Sequence, residues 1–250
     1  MDLSPIDWHN EGKLREARRR LERDGLALIK ATPGDANGRE VQELIEQLGT
    51  AEVHDRLGQT VWHIRYDAAA AARGATASLT LEPLPFHTDG AFEDPSPRYL
   101  AQYVVQEDRF GGGETLLVGV DEVLRRLSAK TLDVLKSATF RFRAPAEYAK
   151  GAGYRDAPIL FGEGLMRYRR VIIEDGDLDE GVVAALDELD AAIAAAEPLS
   201  LRLRSGEILL IDNARFLHAR TEVLDPDRHL LRMRFSCGAS AAVDTACGAE

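Results

Sequence analysis

Short runs of β-branched, leucine and aromatic residues, each bounded by glycine, proline or polar turn residues, follow one another from about residue 60 onwards. Runs of this length and spacing are typical of sheet sandwiches and barrels. The pattern therefore predicts a mainly β core, of the jelly-roll type, in which two sheets pack together. The runs are VWHIRY from 61, ASLTL from 77, YLAQYVVQ from 99, ETLLV from 114, TFRFR from 139, LSLRL from 199, EILLI from 207 and HLLRMRFS from 229.

Helical patterns flank and interrupt this core, and we expect the helices to pack outside the sheets. The first helix should end at Asp24-Gly25, just before an apolar strand at 26–29. The four helices are predicted at about 11–23, 38–48, 120–137 and 180–196.

No internal repeat or low-complexity linker divides the 250 residues, a length that suits one hydrophobic core. We therefore expect a single domain. Its parts are N-terminal helices at about 11–48, a β core at about 60–236 and a short tail at 237–250.

The formal net charge of −11 argues against partners with a phosphate backbone, because the long-range field repels them. A basic cluster at Arg15, Arg18, Arg19 and Arg20 alternates with Glu16 at helical spacing, which indicates a solvated helix face. We expect no nucleic-acid partner. The charge pattern does not indicate an oligomeric state.

No apolar run approaches the roughly 20 residues that cross a bilayer, and the opening MDLSPIDWHNEGK lacks the basic-then-apolar order of a signal peptide. A cytoplasmic protein without a membrane partner is predicted. Cys237 and Cys247 lie in no metal-binding or redox spacing, and we expect both to be reduced and incidental.

The segment PFHTDGAF places His87 and Asp89 two residues apart on an extended run, so both side chains project to one face. Two imidazoles and a carboxylate form the facial triad that binds ferrous iron and leaves positions open. The alternative is a polar strand end with a turn-forming aspartate. His218, in SGEILLIDNARFLHAR, is the candidate for the third ligand.

Two further motifs contain candidate binding residues. Arg228 and Arg232 lie four apart in DRHLLRMRFS, and if the strand faces inward, their guanidinium groups need an anion such as a carboxylate. The alternative is an exposed strand with salt bridges. Thr115 begins the strand after FGGGE and can donate a hydroxyl hydrogen bond, although a threonine is also an ordinary strand residue.

In chain order, the motifs are H-T-D, G-G-E-T-L, D-N-x-x-x-x-H and R-x-x-x-R. This order, over residues from about 20 to 236, resembles the taurine dioxygenase-like (TauD/TfdA) family, which includes clavaminate synthase-like enzymes. The resemblance implies a double-stranded β-helix (jelly roll) and an Fe(II)- and 2-oxoglutarate-dependent oxygenase that also uses O₂. The metal carboxylate is Asp, and His218 and Arg228 are ten residues apart, which favours the general family over the clavaminate synthase-like subgroup.

The resemblance also implies roles for individual residues. His87, Asp89 and His218 would bind iron, and Arg228 with Thr115 would hold the distal carboxylate of 2-oxoglutarate. Arg232 would face the primary substrate or support the co-substrate. The implied reaction hydroxylates an unactivated C–H bond and releases succinate and CO₂.

The substrate is predicted to be a small anionic metabolite, an amino acid or a derivative of one. The motivation is a group of cationic side chains near the expected pocket: Arg232, Arg65 and Arg167, with His63 nearby. The alternative is that these arginines form salt bridges with acidic neighbours and contact no ligand.

Two other functions remain open at this point. One is a non-catalytic or degenerate β-barrel that only binds a ligand. The other is a cupin-like metalloenzyme that does not use 2-oxoglutarate, since three nitrogen and oxygen ligands do not select iron by affinity alone. A related halogenase is disfavoured, because it would lack the carboxylate that Asp89 supplies.

Overall fold

A computed structural model describes residues 2–54, 57–73, 77–145, 153–176 and 178–237. Cys247 and most of the predicted tail lie outside the described residues. The described chain is mainly β with flanking helices, as predicted.

The strands are β1 (Ile6–Asp7), β2 (Leu26–Lys30), β3 (Thr50–Glu52), β4 (Val61–Arg65), β5 (Leu84–His87), β6 (Tyr99–Gln106), β7 (Thr115–Gly119), β8 (Phe140–Arg143), β9 (Tyr154–Ala157), β10 (Leu160–Phe161), β11 (Leu165–Met166), β12 (Ile173–Glu174), β13 (Leu199–Leu201), β14 (Glu207–Asp212), β15 (Phe216–Arg220) and β16 (His229–Ser236). The α-helices are α1 (Glu11–Asp24), α2 (Arg39–Leu48), α3 (Ala68–Ala72), α4 (Val120–Leu124), α5 (Ala129–Ser137) and α6 (Glu180–Ala194), and 3₁₀ turns cover Ala77–Leu79 and Arg170–Ile172.

Two sheets carry the site. The larger sheet has the order β1-β2-β14-β6-β16-β3, with β4 also paired to β16, and the smaller sheet has the order β13-β7-β15-β5. Apart from the parallel β1–β2 pair, all these pairs are antiparallel. Two small sheets, β12-β8-β9 and β10-β11, lie beside them.

The two main sheets contact each other through one apolar cluster, in which Leu100 and Leu209 of the larger sheet meet Leu117 and Phe216 of the smaller one. A second cluster packs α1 and α2 against the outer face of the larger sheet. A third packs α4, α5 and α6 against the smaller sheet. Alternate side chains on each strand therefore face either the gap between the sheets or the helices outside.

Most predicted elements are confirmed, but two predictions were wrong. The run ASLTL forms a 3₁₀ turn at Ala77–Leu79 and no strand. The Arg220 guanidinium accounts for this difference, because it donates hydrogen bonds to the backbone carbonyls of Ala77 and Thr80 in place of the donors of a neighbouring strand. The helix predicted at 120–137 is two helices, since the Ser128 side chain caps the backbone N–H of Thr131 and restarts the chain as α5.

Within the described residues, no helix combines the length and the apolar character that a membrane crossing requires.

Gly49 allows the closest backbone approach in the larger sheet. It links α2 to β3, and an added Cβ would lie 2.0 Å from the Ser236 carbonyl oxygen. Its φ of 177° is ordinary extended backbone, so only the steric contact requires glycine.

We therefore expect Gly49→Ala to destabilise the fold by about 1–3 kcal/mol, the usual cost of overpacking, or by more if the rigid backbone cannot yield. Urea denaturation measures the change. Gly181→Ala is the control: Gly181 lies in α6 with open space around it, so an added methyl group should not lower stability. Equal midpoints for Gly49→Ala and the parent protein would contradict the steric argument.

Candidate metal centre and adjoining pockets

The structure brings His87, Asp89 and His218 together. His87 ends β5 and lies directly opposite His218 of β15 in the antiparallel register. The Asp89 Oδ1 atom is 3.5 Å from His87 Nε2 and 3.8 Å from His218 Nε2. One possible ligand atom from each residue lies within 4.8 Å of the others, and all three residues are buried.

The protonation states of these residues suit a metal ion. His87 Nδ1 lies 2.9 Å from the Pro85 carbonyl oxygen, which can only accept, so this nitrogen carries the proton and Nε2 keeps its lone pair. Burial and the neighbouring His87 lower the pKa of His218 to about 3, so its imidazole is neutral. Burial alone would raise the pKa of Asp89, but the positive charge of Arg232 holds it well below its usual range.

Two neutral imidazoles and an ionised carboxylate are the forms that ligate metal ions. Two nitrogen ligands and one oxygen ligand match the facial set typical of non-haem Fe(II). The residues present therefore fit a ferrous ion.

The Asn213 side chain fixes the backbone of Asp89. Its Oδ1 accepts from the Asp89 N–H at 2.8 Å, and its Nδ2 donates to the carbonyls of Asp89 at 3.0 Å and of Pro97 at 2.8 Å. Asn213 is 1% exposed, so the amide has no access to competing water. The D-N motif marked this position as a turn, but the sequence alone did not reveal that its amide holds the metal-ligand segment.

A pocket lies between the two sheets next to the histidines. It contains three buried guanidinium groups, from Arg220, Arg228 and Arg232, and no acidic residue lines it within the described part of the chain. The other lining residues are Ile64, Ser78, Leu84, His87, Gln102, Thr115, His218, Ala219 and Leu230. A buried cluster of cations without a carboxylate in its wall is a site for an anion.

Arg228 lies just before β16, which begins at His229 with an irregular register, so the prediction that Arg228 is part of the strand was wrong. Its Nη2 donates to the Gly113 carbonyl at 3.0 Å. Burial and the neighbouring Arg220 lower the pKa of Arg228 to about 10, which leaves it cationic at neutral pH. Thr115 is buried in the wall of the same pocket.

The glycine turn before Thr115 makes room for this arginine. Gly113 has a φ of +63°, and an added Cβ would lie 2.5 Å from Arg228 Nε. Both the backbone conformation and the close approach therefore require glycine at this position.

Arg220 was not predicted from the sequence. It follows His218 by two residues on β15, so both side chains share the inner face, and this alternation was the signal that could have identified it. Its Nη2 donates to the carbonyls of Ala77 and Thr80 at 3.0 Å each and of Glu82 at 2.5 Å. Burial lowers the pKa of Arg220 to about 10, so it also stays charged.

A second, smaller compartment adjoins the candidate metal ligands and shares His87 and Arg232 with the first pocket. Arg232 Nη1 lies 2.7 Å from Asp89 Oδ2 and 2.9 Å from Asp89 Oδ1. This predicted substrate-binding residue therefore contacts the Asp89 carboxylate directly. The full lining is Ser78, Leu84, His87, Asp89, Gly90, Phe92, Arg169, Arg232 and Arg234.

Three predicted substrate residues do not line either pocket. Arg167 is buried, and its Nη1 donates to the carbonyls of Glu93 at 3.2 Å and Ala91 at 3.5 Å, so it supports the segment that follows Asp89. His63 and Arg65 alternate on β4 with Ile64, which lines the pocket, and their exposed side chains project to the opposite face. His63 Nδ1 lies 2.9 Å from His229 Nε2 on that outer face.

We expect Asn213→Ala to weaken binding of a divalent metal ion by about 10- to 100-fold, the usual effect of removing a group that orients a ligand. Titration with Co(II), followed by its visible absorption, measures the dissociation constant without any turnover. Asn37→Ala, at an exposed position, is the control. Unchanged Co(II) affinity in a folded Asn213→Ala protein would mean that Asp89 holds its position without the amide.

Comparisons with known proteins agree with this geometry. L-asparagine oxygenase of Streptomyces coelicolor is 27% identical over 190 residues, which is 75% of this chain and 50% of the relative. Glutarate 2-hydroxylase of Citrobacter koseri is 27% identical over 236 residues, which is 86% of this chain and 69% of the relative. The chain thus spans half of the first relative's length and about two thirds of the second's.

Solved structures share the fold. A crystal structure of asparagine oxygenase in complex with Fe(II), 2S,3S-3-hydroxyasparagine and succinate has a TM-score of 0.73 at 24% identity, over 90% of this chain and 77% of that one. The non-heme iron oxygenase OrfP in complex with Fe and alpha-ketoglutaric acid has a TM-score of 0.72 at 21% identity, over 91% of this chain and 80% of that one.

The family model "Taurine catabolism dioxygenase TauD, TfdA family" matches residues 2–234, nearly the whole chain. The family predicted from the order of the motifs is therefore confirmed, and the chain belongs to the TauD/TfdA family.

Proposed function

We propose that this protein is an Fe(II)- and 2-oxoglutarate-dependent oxygenase that hydroxylates a C–H bond of a small anionic metabolite and releases succinate and CO₂. The two facing sheets would form the double-stranded β-helix expected for such an enzyme. The observation that carries the proposal is the buried, carboxylate-free arginine pocket beside the His87, Asp89 and His218 set.

His87, Asp89 and His218 would hold the iron. Fe(II), with 2-oxoglutarate and O₂, supplies the oxidising chemistry that the side chains of the protein lack. The protein's own contribution is to keep the His218 imidazole neutral and the Asp89 carboxylate ionised, while Asn213 and Arg232 hold Asp89 in place.

Arg228 and Thr115 would bind the distal carboxylate of 2-oxoglutarate, and Arg220 adds a second positive charge to the same wall. A planar guanidinium can bind both oxygens of a carboxylate. The pocket is lined by Ile64, Leu84 and Leu230, which exclude water and strengthen these charge-assisted bonds. The rest of the 2-oxoglutarate molecule would extend towards His87 and His218.

Arg232, which lines both pockets, would face the primary substrate from the second compartment. The names of the relatives support a small substrate that carries a carboxylate group: one acts on asparagine and another on glutarate. These names also favour an oxygenase over a protein that only binds a ligand. A cupin-like enzyme without 2-oxoglutarate would not need a dedicated anion pocket next to its metal ligands.

We expect the anaerobic protein with Fe(II) and 2-oxoglutarate to develop a visible charge-transfer band, and to release succinate slowly when O₂ is admitted. His218→Ala should abolish both signals, because a metal ligand is lost. His63→Ala is the matched control, since His63 faces away from the pocket. If His218→Ala retained the band and full turnover, the ligand assignment would be rejected.

Arg228→Gln should raise the KM for 2-oxoglutarate strongly. Removing one partner of a buried charge pair costs about 2–5 kcal/mol, which corresponds to roughly 30-fold or more. Gly113→Ala should raise the same KM, because the added methyl group displaces the Arg228 side chain.

Gly34→Ala is the control for backbone strain. Gly34 has a φ of +84° and open space around it, so this variant tests a left-handed position that has no contact with the site. Steady-state succinate release at varied 2-oxoglutarate gives all the KM values. A Gly113→Ala protein with the parent KM would show that the glycine turn has no part in binding 2-oxoglutarate.

A further inference from the structure

We infer that the second compartment binds a substrate with two anionic groups, a linear dicarboxylate, and that Arg234 determines this specificity. The inference rests on the proposed function and names the substrate class of the same site. Arg232 would bind one carboxylate near the metal ligands. Arg234, with Arg169, would bind the other.

The strand register places Arg234 in the compartment. On β16 the side chains of Leu230, Arg232 and Arg234 face the gap between the sheets, whereas Leu231 and Met233 pack under the helices on the other face. Residues two apart on a strand are separated by about 7 Å. Two carboxylates joined by a short carbon chain match that spacing.

Arg234 is built into the wall as a buried cation. It is 2% exposed, and its Nη1 lies 2.5 Å from Glu93 Oε1. The Nε atoms of Arg232 and Arg234 are both buried without a hydrogen-bond partner within the described residues. A buried guanidinium donor without an acceptor is costly, and an oxyanion in the compartment would satisfy it.

The lining of the compartment favours anions at both ends of the ligand. Three arginines line it, and its only acidic lining residue within the described chain is Asp89, a member of the metal-ligand set. Glu93 and Glu52 lie near Arg234 outside the lining and reduce the cost of burying its charge. No carboxylate of the lining is therefore left to receive a substrate ammonium group.

Glu93 allows substrate recognition by Arg234 to be distinguished from a purely structural ion pair. Its side chain is 20% exposed, and its carboxylate occupies one side of the Arg234 guanidinium. If Arg234 recognises a substrate carboxylate, Glu93 opposes that carboxylate by charge repulsion. If the pair only stabilises the fold, removing either partner should have the same unfavourable sign.

The experiment uses the anaerobic protein loaded with Fe(II) and saturated with 2-oxoglutarate. Glutarate, adipate, L-glutamate and the monocarboxylates valerate and hexanoate are titrated, and the dissociation constant is read from the shift of the charge-transfer band. A ligand that displaces 2-oxoglutarate would remove the band and would thus be distinguished from one that shifts it. We expect glutarate or adipate to bind more tightly than the monocarboxylates, and glutarate to bind more tightly than L-glutamate, whose ammonium group has no partner carboxylate in the lining.

Arg234→Gln should weaken dicarboxylate binding by about 30-fold or more and leave monocarboxylate binding unchanged. Glu93→Gln should tighten dicarboxylate binding. Arg169→Gln, at a partly exposed position, should weaken it in the same selective way and provides the test if Arg234→Gln does not fold.

The outcomes distinguish a failure of the proposed function from a failure of the dicarboxylate inference. Absence of the charge-transfer band in the parent protein would reject the proposed function and this inference with it. A normal band with equal binding of mono- and dicarboxylates, or tighter binding of L-glutamate than of glutarate, would overturn the inference alone. Equal weakening of every ligand in Arg234→Gln and Glu93→Gln would assign the ion pair to structure only.

Discussion

The buried carboxylate of Asp89 is the interaction on which the rest of the site depends. It lies between His87 and His218, and it contacts Arg232 at 2.7 Å. A carboxylate that is 5% exposed would be protonated without such partners, because burial disfavours its charged form. Arg232 therefore keeps a metal ligand ionised while also lining the space where a substrate would bind.

This arrangement requires an accurate strand register. His87 and His218 face each other because β5 and β15 pair directly at these residues, and a shift of one residue would turn His218 out of the pocket. The apolar contact of Phe216 with the larger sheet opposes such a shift, since the shift would turn this side chain away from the gap between the sheets. The hydrophobic core and the polar site thus specify the same register.

Much of this could be predicted from the sequence, because strand alternation and local motifs are encoded in neighbouring residues. The H-T-D segment, the apolar strand before His218 and the glycine turn before Thr115 were all recognisable, and the structure brings them together.

What could not be predicted depends on contacts between distant segments. The register shift between His229 and Leu230 at the start of β16, the outward face of His63 and the reach of Arg220 to the carbonyls of residues 77–82 are of this kind. Arg167 shows the same limit: its charge was evident, but its backbone partners at Ala91 and Glu93 were not.

The distribution of charge within the chain explains how an acidic protein can select an anion. A net charge of −11 repels anions at long range, and salt screens that field over about 10 Å. Between the two sheets the local charge is positive, because Arg220, Arg228 and Arg232 are all buried in one pocket. Interactions there are screened far less than those at the surface. Selection must therefore occur after the ligand enters, by the fit of its carboxylates to fixed guanidinium groups, and not by attraction from solution.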